Sequence, residues 1–180
     1  MTRKVRKIIR EKEIGGKCKI TIKKFKGNFK SEEEALKVGA EPYEIEEEIF
    51  PWELEDIFLN DGINAIWTLV CGGTETAFNS TNAHICIGDG TTAEDASQTG
   101  PQGSNYTYLP MDSGYPQYGS GQKAVFKATA DGDTANHGWQ EFLIANGNAT
   151  TAKHINRKVV DKGTKPSGET WVVQIELSLS

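Results

Sequence analysis

Three acidic residues, Asp89, Asp133 and Glu141, are candidates for acid–base chemistry in this sequence. Hydrolysis of a glycosidic bond needs two carboxylates held at a defined separation. Asp89 stands in a Gly-Asp-Gly turn and Asp133 in an Asp-Gly-Asp turn, and no motif places any of the three acids relative to the others. We therefore interpret all three as solvated turn acids, and we predict that the chain is not an enzyme.

Metal and cofactor motifs are also missing from the sequence. The three histidines are His84, His137 and His154, and they form no HxH or HExxH pattern. Asp131-Gly132-Asp133 resembles a fragment of a calcium loop but lacks the further ligands and the terminal glutamate. No phosphate loop or dinucleotide fingerprint occurs. We expect no cofactor and no metal.

The cysteines are Cys18, Cys71 and Cys86. Their number is odd and no CxxC spacing occurs, so the sequence supports neither a disulfide framework nor a zinc site. Free cysteines are among the most buried residues in proteins. We interpret these three as buried free thiols in a reducing compartment.

Charge is distributed unevenly along the chain, although the net charge is only −5. Residues 1–30 hold twelve lysines and arginines against two glutamates, a balance of +10. Residues 31–60 hold one lysine against eleven acids, a balance of −10, and residues 61–180 are mildly acidic. Blocks of opposite charge side by side indicate a segment that makes interactions. No apolar run approaches the roughly 20 residues of a membrane span, so no membrane contact is expected.

The first 72 residues mix strand and helix signals. Residues 17–23 alternate apolar and polar side chains, as a half-buried strand does, and residues 43–50 alternate again. Ser31 followed by three glutamates predicts a brief helix that ends near Gly39. Pro51 at a first-turn position predicts a helical segment over 51–72, as one kinked helix or two short ones. Its apolar stripe is interpreted as core packing: Ile63, Ile66, Trp67 and Val70.

From residue 83 onward the pattern is β. Short apolar runs predict strands at 84–88, 124–130, 138–145, 154–160 and 170–179, separated by Gly, Asn, Asp and Pro turns. Trp139 and Trp171 alternate with polar neighbours and are interpreted as core anchors. Residues 89–122 predict a long loop, and loops of this length usually make contacts. Its tyrosines are the candidate contact residues: Tyr106, Tyr108, Tyr115 and Tyr118.

These signals predict a mainly β protein, a β-sandwich or open β-barrel with an extended N-terminal arm and one or two short helices. The predicted division is a charged arm over 1–50, basic in 1–30 and acidic in 31–50, and a β-rich domain over 51–180 that the helical segment 51–72 opens. The turns between the strands are short, which is typical of a sandwich or barrel.

A series of short motifs lies in order between Leu59 and Ser180: Asp61-Gly62-Ile63-Asn64-Ala65-Ile66-Trp67, Ile87-Gly88-Asp89-Gly90-Thr91-Thr92-Ala93, Met111-Asp112-Ser113-Gly114-Tyr115-Pro116, Ala135-Asn136, Trp139-Gln140-Glu141-Phe142, Asn146-Gly147, Ile155-Asn156-Arg157-Lys158-Val159 and Gly163-Thr164-Lys165. Through these motifs, about two thirds of the chain resembles a family of small structural proteins of tailed bacteriophages. The resemblance implies a virion component with a β-rich domain, in the head or the tail. The first 50 residues are not matched.

The resemblance leaves head and tail open, and the function that we expect is capsid decoration, because the oppositely charged blocks of the N-terminal third favour contacts on the capsid surface. A decoration (cement) protein would bind the outer capsid surface and stabilise the shell through contacts between subunits. Its partners would be the major capsid protein and neighbouring copies, as a homotrimer or another small oligomer, and it would assemble in the bacterial cytoplasm. The alternative is a tail-tip or fibre module that binds host surface glycans through the tyrosine-rich loop.

The charged arm is expected to carry the contacts between subunits. We predict that a basic set crosses to a neighbour's acidic block or to the capsid protein. The basic set is Arg3, Lys4, Arg6, Lys7, Arg10, Lys23, Lys24 and Lys26. The acidic set is Glu32, Glu33, Glu34, Glu46, Glu47 and Glu48. Clustered lysines and arginines could also bind nucleic acid. The adjoining acids would compete, so nucleic acid is the less favoured partner.

Overall fold

The computed structural model describes residues 4–9, 16–51 and 58–179. These residues form a β-sandwich with two short helices, which confirms the predicted fold class. The strands are β1 Lys4–Ile9, β2 Lys17–Lys26, β3 Glu44–Pro51, β4 His84–Gly88, β5 Tyr106–Pro110, β6 Lys123–Ala130, β7 Glu141–Ala145, β8 His154–Val159 and β9 Glu169–Ser178. The helices are α1 Glu32–Lys37 and α2 Asn60–Val70.

Two sheets make up the sandwich. Sheet one has the strand order β1-β3-β2-β9-β6, and sheet two has the order β5-β4-β7-β8. Neighbouring strands are antiparallel, except that β1 runs parallel to β3. Apolar side chains that alternate along the strands of both sheets meet between the layers.

The core is centred on two tryptophans, as the sequence predicts. Trp139 and Trp171 are buried, and their rings meet edge to face with centroids 5.0 Å apart. The Trp139 indole N–H donates to the carbonyl of Ala135 at 3.0 Å, so the polar end of the ring is satisfied. Apolar residues from both sheets surround the pair, among them Ile20, Ile22, Ile85, Ile87, Phe126, Phe142, Val173 and Ile175.

Residues 17–51 belong to the sandwich, which corrects the prediction of a separate arm over 1–50. β2 lies inside sheet one, where it pairs over its full length with β9 and along most of it with β3. Cys18, Ile20 and Ile22 on β2 are buried in the core. The period-2 pattern of residues 17–23 was a valid strand signal. The basic residues on the outward face of this strand therefore belong to a central strand of sheet one, which pairs with β3 on one side and with β9 on the other.

The two helices differ from one another in how well the sequence predicts them. α1 forms as expected: the Ser31 hydroxyl accepts the Glu34 N–H at 3.1 Å, and buried Ala35 packs on Phe25 and Val172. The predicted helix over 51–72 is wrong at its start, because Pro51 ends strand β3 and α2 begins at Asn60. Residues 52–57 of that prediction lie outside the described residues.

The outer face of sheet two carries a fully buried ion pair. Arg157 Nε donates to Glu141 Oε2 at 2.7 Å, and both side chains are 0% exposed. The Glu141 carboxylate also accepts the backbone N–H groups of Gly90, Gln102 and Gly103. Arg157 Nη1 donates to the carbonyl of Thr92 at 2.9 Å. These hydrogen bonds hold residues 90–103 against the outer face of sheet two.

This pair also explains the Gly88-Asp89-Gly90 motif. Neither glycine adopts a positive φ, so the left-handed conformation usual for such a turn is not the reason for glycine here. A Cβ at either position would collide with the Glu141 side chain. Glycine is required because the carboxylate occupies the space that a side chain would need.

Candidate docking surface

Helix α2 places small residues inward and large apolar residues outward. Buried Gly62 and Ala65 face the body of the protein. A Cβ on Gly62 would collide with the backbone of His154 and Ile155, so glycine allows the helix to approach β8 closely. Asp61 in the first turn suits the positive end of the helix, and its carboxylate pairs with Lys153 at 3.0 Å.

Most of the apolar stripe of α2 is exposed, so its interpretation as core packing holds only for Ile66, which packs against the core cluster. Trp67 is 61% exposed and Val70 69%, and Ile63 also reaches solvent. The 3.6-residue period was correct, but the buried contact is made by the small residues on the neighbouring face. Exposure of a large apolar stripe to water is unfavourable in free energy, and burial against another surface would relieve it.

This stripe forms one wall of a groove of about 720 Å³, called here the apolar groove. The opposite wall comes from β6, the end of β9 and residues 116–122. Tyr118 and Leu179, which are 78% and 64% exposed, belong to it. The complete lining is Phe58, Ile63, Ile66, Trp67, Val70, Phe78, Pro116, Tyr118, Gln122, Lys123, Ala124, Phe126, Ile155, Leu177 and Leu179.

The groove gathers most of the exposed apolar surface of the described residues. Eight large apolar or aromatic side chains in this part of the protein are exposed, and five of them line the groove: Ile63, Trp67, Val70, Tyr118 and Leu179. Scattered exposed apolar residues are normal on protein surfaces, whereas a contiguous group marks an interaction site. The arrangement can bind an apolar surface or ligand.

The predicted basic and acidic contact residues pair with one another inside the chain. Lys24 is buried and binds Glu44 at 3.0 Å and Glu46 at 2.5 Å. Lys162 crosses from the β8 side to bind Glu48 at 2.7 Å and Glu46 at 3.5 Å. These contacts form a network between the two sheets, so Lys24, Glu46 and Glu48 are not available to a neighbouring subunit.

Two further acids of the predicted contact set, Glu32 and Glu47, also form ion pairs within the chain. Glu32 is buried between Lys23 and Lys127, each at 2.5 Å. Although burial opposes this effect, hydrogen bonds from Lys127 and Lys23 hold the pKa of Glu32 below its usual value. Glu47 pairs with Lys19 at 2.8 Å.

Three further members of the predicted contact sets are Glu33 and Glu34 on α1 and Lys26 at the end of β2. Glu33 is exposed on α1, and Glu34 accepts the Lys30 N–H at 2.6 Å. Lys26 pairs with Glu169. Lys23, Lys24 and Lys26 thus form ion pairs within the chain. The exchange between subunits stays a prediction.

The rest of the predicted basic set lies at the N-terminus. Lys4, Arg6 and Lys7 belong to β1, whose backbone pairs in parallel with Glu44, Glu46 and Glu47 of β3. Arg3 and Arg10 lie outside the described residues. The blocks of opposite charge are therefore adjacent strands of one sheet over the segments that the structure covers.

The four tyrosines are not together on one surface. Tyr106 and Tyr108 lie on β5, a strand at the edge of sheet two, so the predicted loop 89–122 contains regular structure. Tyr108 is half-buried, with its hydroxyl 3.0 Å from His154 Nε2. Tyr118 lines the apolar groove, whereas Tyr115 lies in a separate polar cleft.

The acids considered for catalysis have three different environments. Glu141 is fully buried in its ion pair, so the interpretation of it as a solvated turn acid is wrong. Asp89 accepts the Asn105 side-chain N–H at 2.6 Å, and hydrogen bonds from Asn105 lower the pKa of Asp89. Asp133 is exposed and accepts from Asn28 at 3.1 Å. Only Asp89 and Asp133 are the turn acids that we expected.

The remaining candidate ligands take part in local structure. Asp131 pairs with Lys30 at 2.5 Å, and the hydrogen bonds from Lys30 and Thr134 lower the pKa of Asp131 to about 2. The segments that the structure describes contain no group of three or more His, Cys, Asp or Glu residues able to hold a metal ion. Cys18 and Cys86 are buried and Cys71 is exposed, which corrects the expectation of three buried thiols.

Comparison with known proteins adds no further constraint. No family model, no curated protein and no solved structure matches the chain. Among the described residues, no helix is both long and apolar enough to cross a membrane. Among the described residues, the apolar groove is the feature that most directly suggests a role, because it gathers five exposed large apolar side chains.

Proposed function

We propose that this protein is a non-enzymatic capsid decoration protein of a tailed bacteriophage, which binds the outer surface of the shell through the apolar groove. The observation that carries the proposal is the groove itself, with Trp67, Val70 and Leu179 well exposed around it. Complete burial of a large apolar side chain contributes about 1.5–3 kcal/mol, so a few of them can hold a subunit on a lattice.

Two segments of the phage-like resemblance also support the proposal. The segment 61–67 supplies Ile63, Ile66 and Trp67 to one wall of the groove, and the segment 111–116 supplies Pro116 to the other. The major capsid protein is the proposed occupant. Neighbouring copies bound to the same shell would add contacts along the lattice.

Binding energy alone would perform this function. A protein that binds the assembled shell but not its separated or broken form stabilises the shell by mass action. The sandwich suits the task because both walls of the groove belong to its ordered elements: α2 packs closely on β8, and the opposite wall includes residues of β6 and β9. No chemical step is required of any side chain.

Copy number in purified virions tests the proposal against a role in the tail. Gel densitometry of virions should give a number of copies comparable with that of the major capsid protein. A number comparable with that of tail-tip proteins would overturn capsid decoration. It would favour the alternative, a tail module that binds glycans.

A further inference from the structure

A second cavity, called here the polar cleft, lies apart from the apolar groove and has different chemistry. Its volume is about 470 Å³, which is within the range of roughly 300–1,000 Å³ typical of small-molecule sites. Three segments line it: the start of α1, the connection from β5 to β6, and β6 itself. The lining is Lys30, Ser31, Glu32, Glu33, Pro110, Met111, Asp112, Ser113, Tyr115, Gln117, Lys127 and Thr129.

Asp112 supplies an oriented hydrogen-bond acceptor to this cleft. The Thr129 hydroxyl donates to Asp112 Oδ2 at 2.9 Å, and the Asp112 backbone N–H donates to the carbonyl of Lys127 at 2.8 Å. The carboxylate is thus fixed against β6. A carboxylate has about four acceptor positions, so it can receive further donors from a ligand. Burial raises the pKa of Asp112, as is common for carboxyl groups in binding sites.

Lys127 and Tyr115 supply a donor and an aromatic ring. Lys127 Nζ binds Glu32 at 2.5 Å and lies 5.4 Å from the centroid of the Tyr115 ring. An ammonium group has three donors, so Lys127 can also donate to a ligand. The Tyr115 N–H donates to the Asp112 carbonyl at 3.1 Å, which holds ring and carboxylate on one tight turn.

This combination selects for a particular class of ligand. Glu32, Glu33 and Asp112 would repel a phosphate, whereas Lys127 would repel a metal cation. The polar side chains disfavour a purely apolar ligand because their hydrogen bonds to water would be lost. A sugar fits both the aromatic and the polar residues of the lining. The C–H face of its ring can pack on Tyr115, while its hydroxyls can donate hydrogen bonds to carboxylates and accept them from an ammonium group.

We propose that the polar cleft is a saccharide-binding site, in which Tyr115 packs against the ring of the sugar while Asp112 and Lys127 bind its hydroxyls. The site gives the protein a second binding function, in a cavity whose lining shares no residue with the apolar groove. A decoration protein that carried it would display a glycan-binding site on each copy. Weak single contacts would then combine by multivalency at a cell surface.

A glycan array with the labelled full chain tests this proposal. The array carries neutral and acidic mono- and oligosaccharides of bacterial and animal surfaces. The unmodified chain should bind at least one of them, and Asp112→Asn and Tyr115→Ala should each lower its affinity about tenfold or more. Tyr106→Ala is the matched control: it removes an exposed tyrosine ring of β5 that lines neither the polar cleft nor the apolar groove, and it should leave glycan binding unchanged.

A second measurement keeps the test decisive if a variant loses its fold. In the unmodified chain, amide chemical shifts recorded with the best array glycan should change at 112–117 and 127–129. Absence of binding to every saccharide overturns the proposal, as does retention of binding in both cleft variants. Shift changes confined to the apolar groove would overturn it too, while leaving the groove's proposed role in particle binding to be judged separately.

Discussion

Glu141 and Arg157 form an ion pair from which water is excluded: their side chains are 0% exposed and Nε lies 2.7 Å from Oε2. The carboxylate also accepts N–H groups of Gly90, Gln102 and Gly103. A buried pair of this kind adds little stability compared with an apolar pair, but loss of one partner leaves a buried charge uncompensated. The pair therefore fixes residues 90–103 in one arrangement.

We expect Glu141→Gln to lower the free energy of unfolding by about 3–5 kcal/mol, because Arg157 keeps its charge and loses its counterion. Urea unfolding measures the loss. Hydrogen exchange should become faster over residues 90–103 than in the strands of sheet two. Lys153→Met is the matched control, since it removes the solvent-accessible pair with Asp61 and should change the free energy by only about 0–1 kcal/mol. Equal effects of the two substitutions would refute a structural role of the buried pair.

His154 should make stability depend on pH. It is buried beneath residues 99–100, and burial lowers its pKa below the ordinary value. The titratable groups that act on it are Tyr108, at hydrogen-bond distance, and Asp61, which is itself paired with Lys153. Because the folded state favours the neutral ring, the contribution of His154 is fully present above the unfolded pKa of about 6.5 and is lost as the pH falls below it.

Urea unfolding at pH 7.5 and pH 5.5 checks this prediction. The unmodified chain should lose stability between the two values, by up to about 1.4 kcal/mol per pH unit. In His154→Gln this part of the pH dependence should be absent, whatever the absolute stability of the variant. The same slope in both proteins would show that other groups cause it. Asp131 does not interfere, because its pKa of about 2 places its titration well below this range.

Deletion of residues 1–30 should abolish folding. The deletion removes β2, which separates β3 from β9 in sheet one and buries Cys18, Ile20, Ile22 and Phe25. Circular dichroism with urea should show no cooperative transition. Deletion of residues 1–16 is the control, since it keeps β2 and removes only the edge strand β1 of the described sheet, so cooperative unfolding should persist. Cooperative unfolding of the larger deletion would contradict the structure of sheet one.

The sequence predicted most of the strands because turn residues bound short apolar runs. β4, β6, β8 and β9 lie within a residue of the predicted limits, and β7 lies inside its predicted range. β5 was missed because Tyr106–Pro110 lies among glycines, serines and asparagines, and an edge strand with half-exposed side chains shows no continuous apolar run. Regular pairing with β4 stabilises it, and that partner is not visible from local sequence.

The candidate sites were harder to predict for a different reason. Periodicity reveals that α2 has an apolar face, but it cannot say whether that face meets the core or solvent. The close approach of Gly62 to β8 decides the matter, and it depends on the tertiary structure. Likewise Glu141 occupies an ordinary strand position in the sequence. Its burial follows from Arg157, which lies sixteen residues further on in the neighbouring strand.

The partners of the two charge blocks also depend on the tertiary structure. Oppositely charged segments that adjoin in sequence can pair within one chain as well as between subunits. Here β2 and β3 are antiparallel neighbours, so Lys19 meets Glu47 and Lys24 meets Glu44 and Glu46. The contact surface that we propose for the particle is consequently apolar, rather than the charged arm that the composition favours.

Binding of the full-length protein to phage shells that lack it tests the central claim most directly. Sedimentation followed by densitometry gives the number of bound copies as a function of protein concentration. We expect the unmodified chain to saturate the shell. Trp67→Glu should weaken binding about tenfold or more, because it places a charge in the apolar groove. Leu36→Glu introduces the same charge at an exposed apolar residue of α1, away from the groove, and should bind normally. Unchanged binding of Trp67→Glu, or no binding of the unmodified chain, would contradict the proposed function.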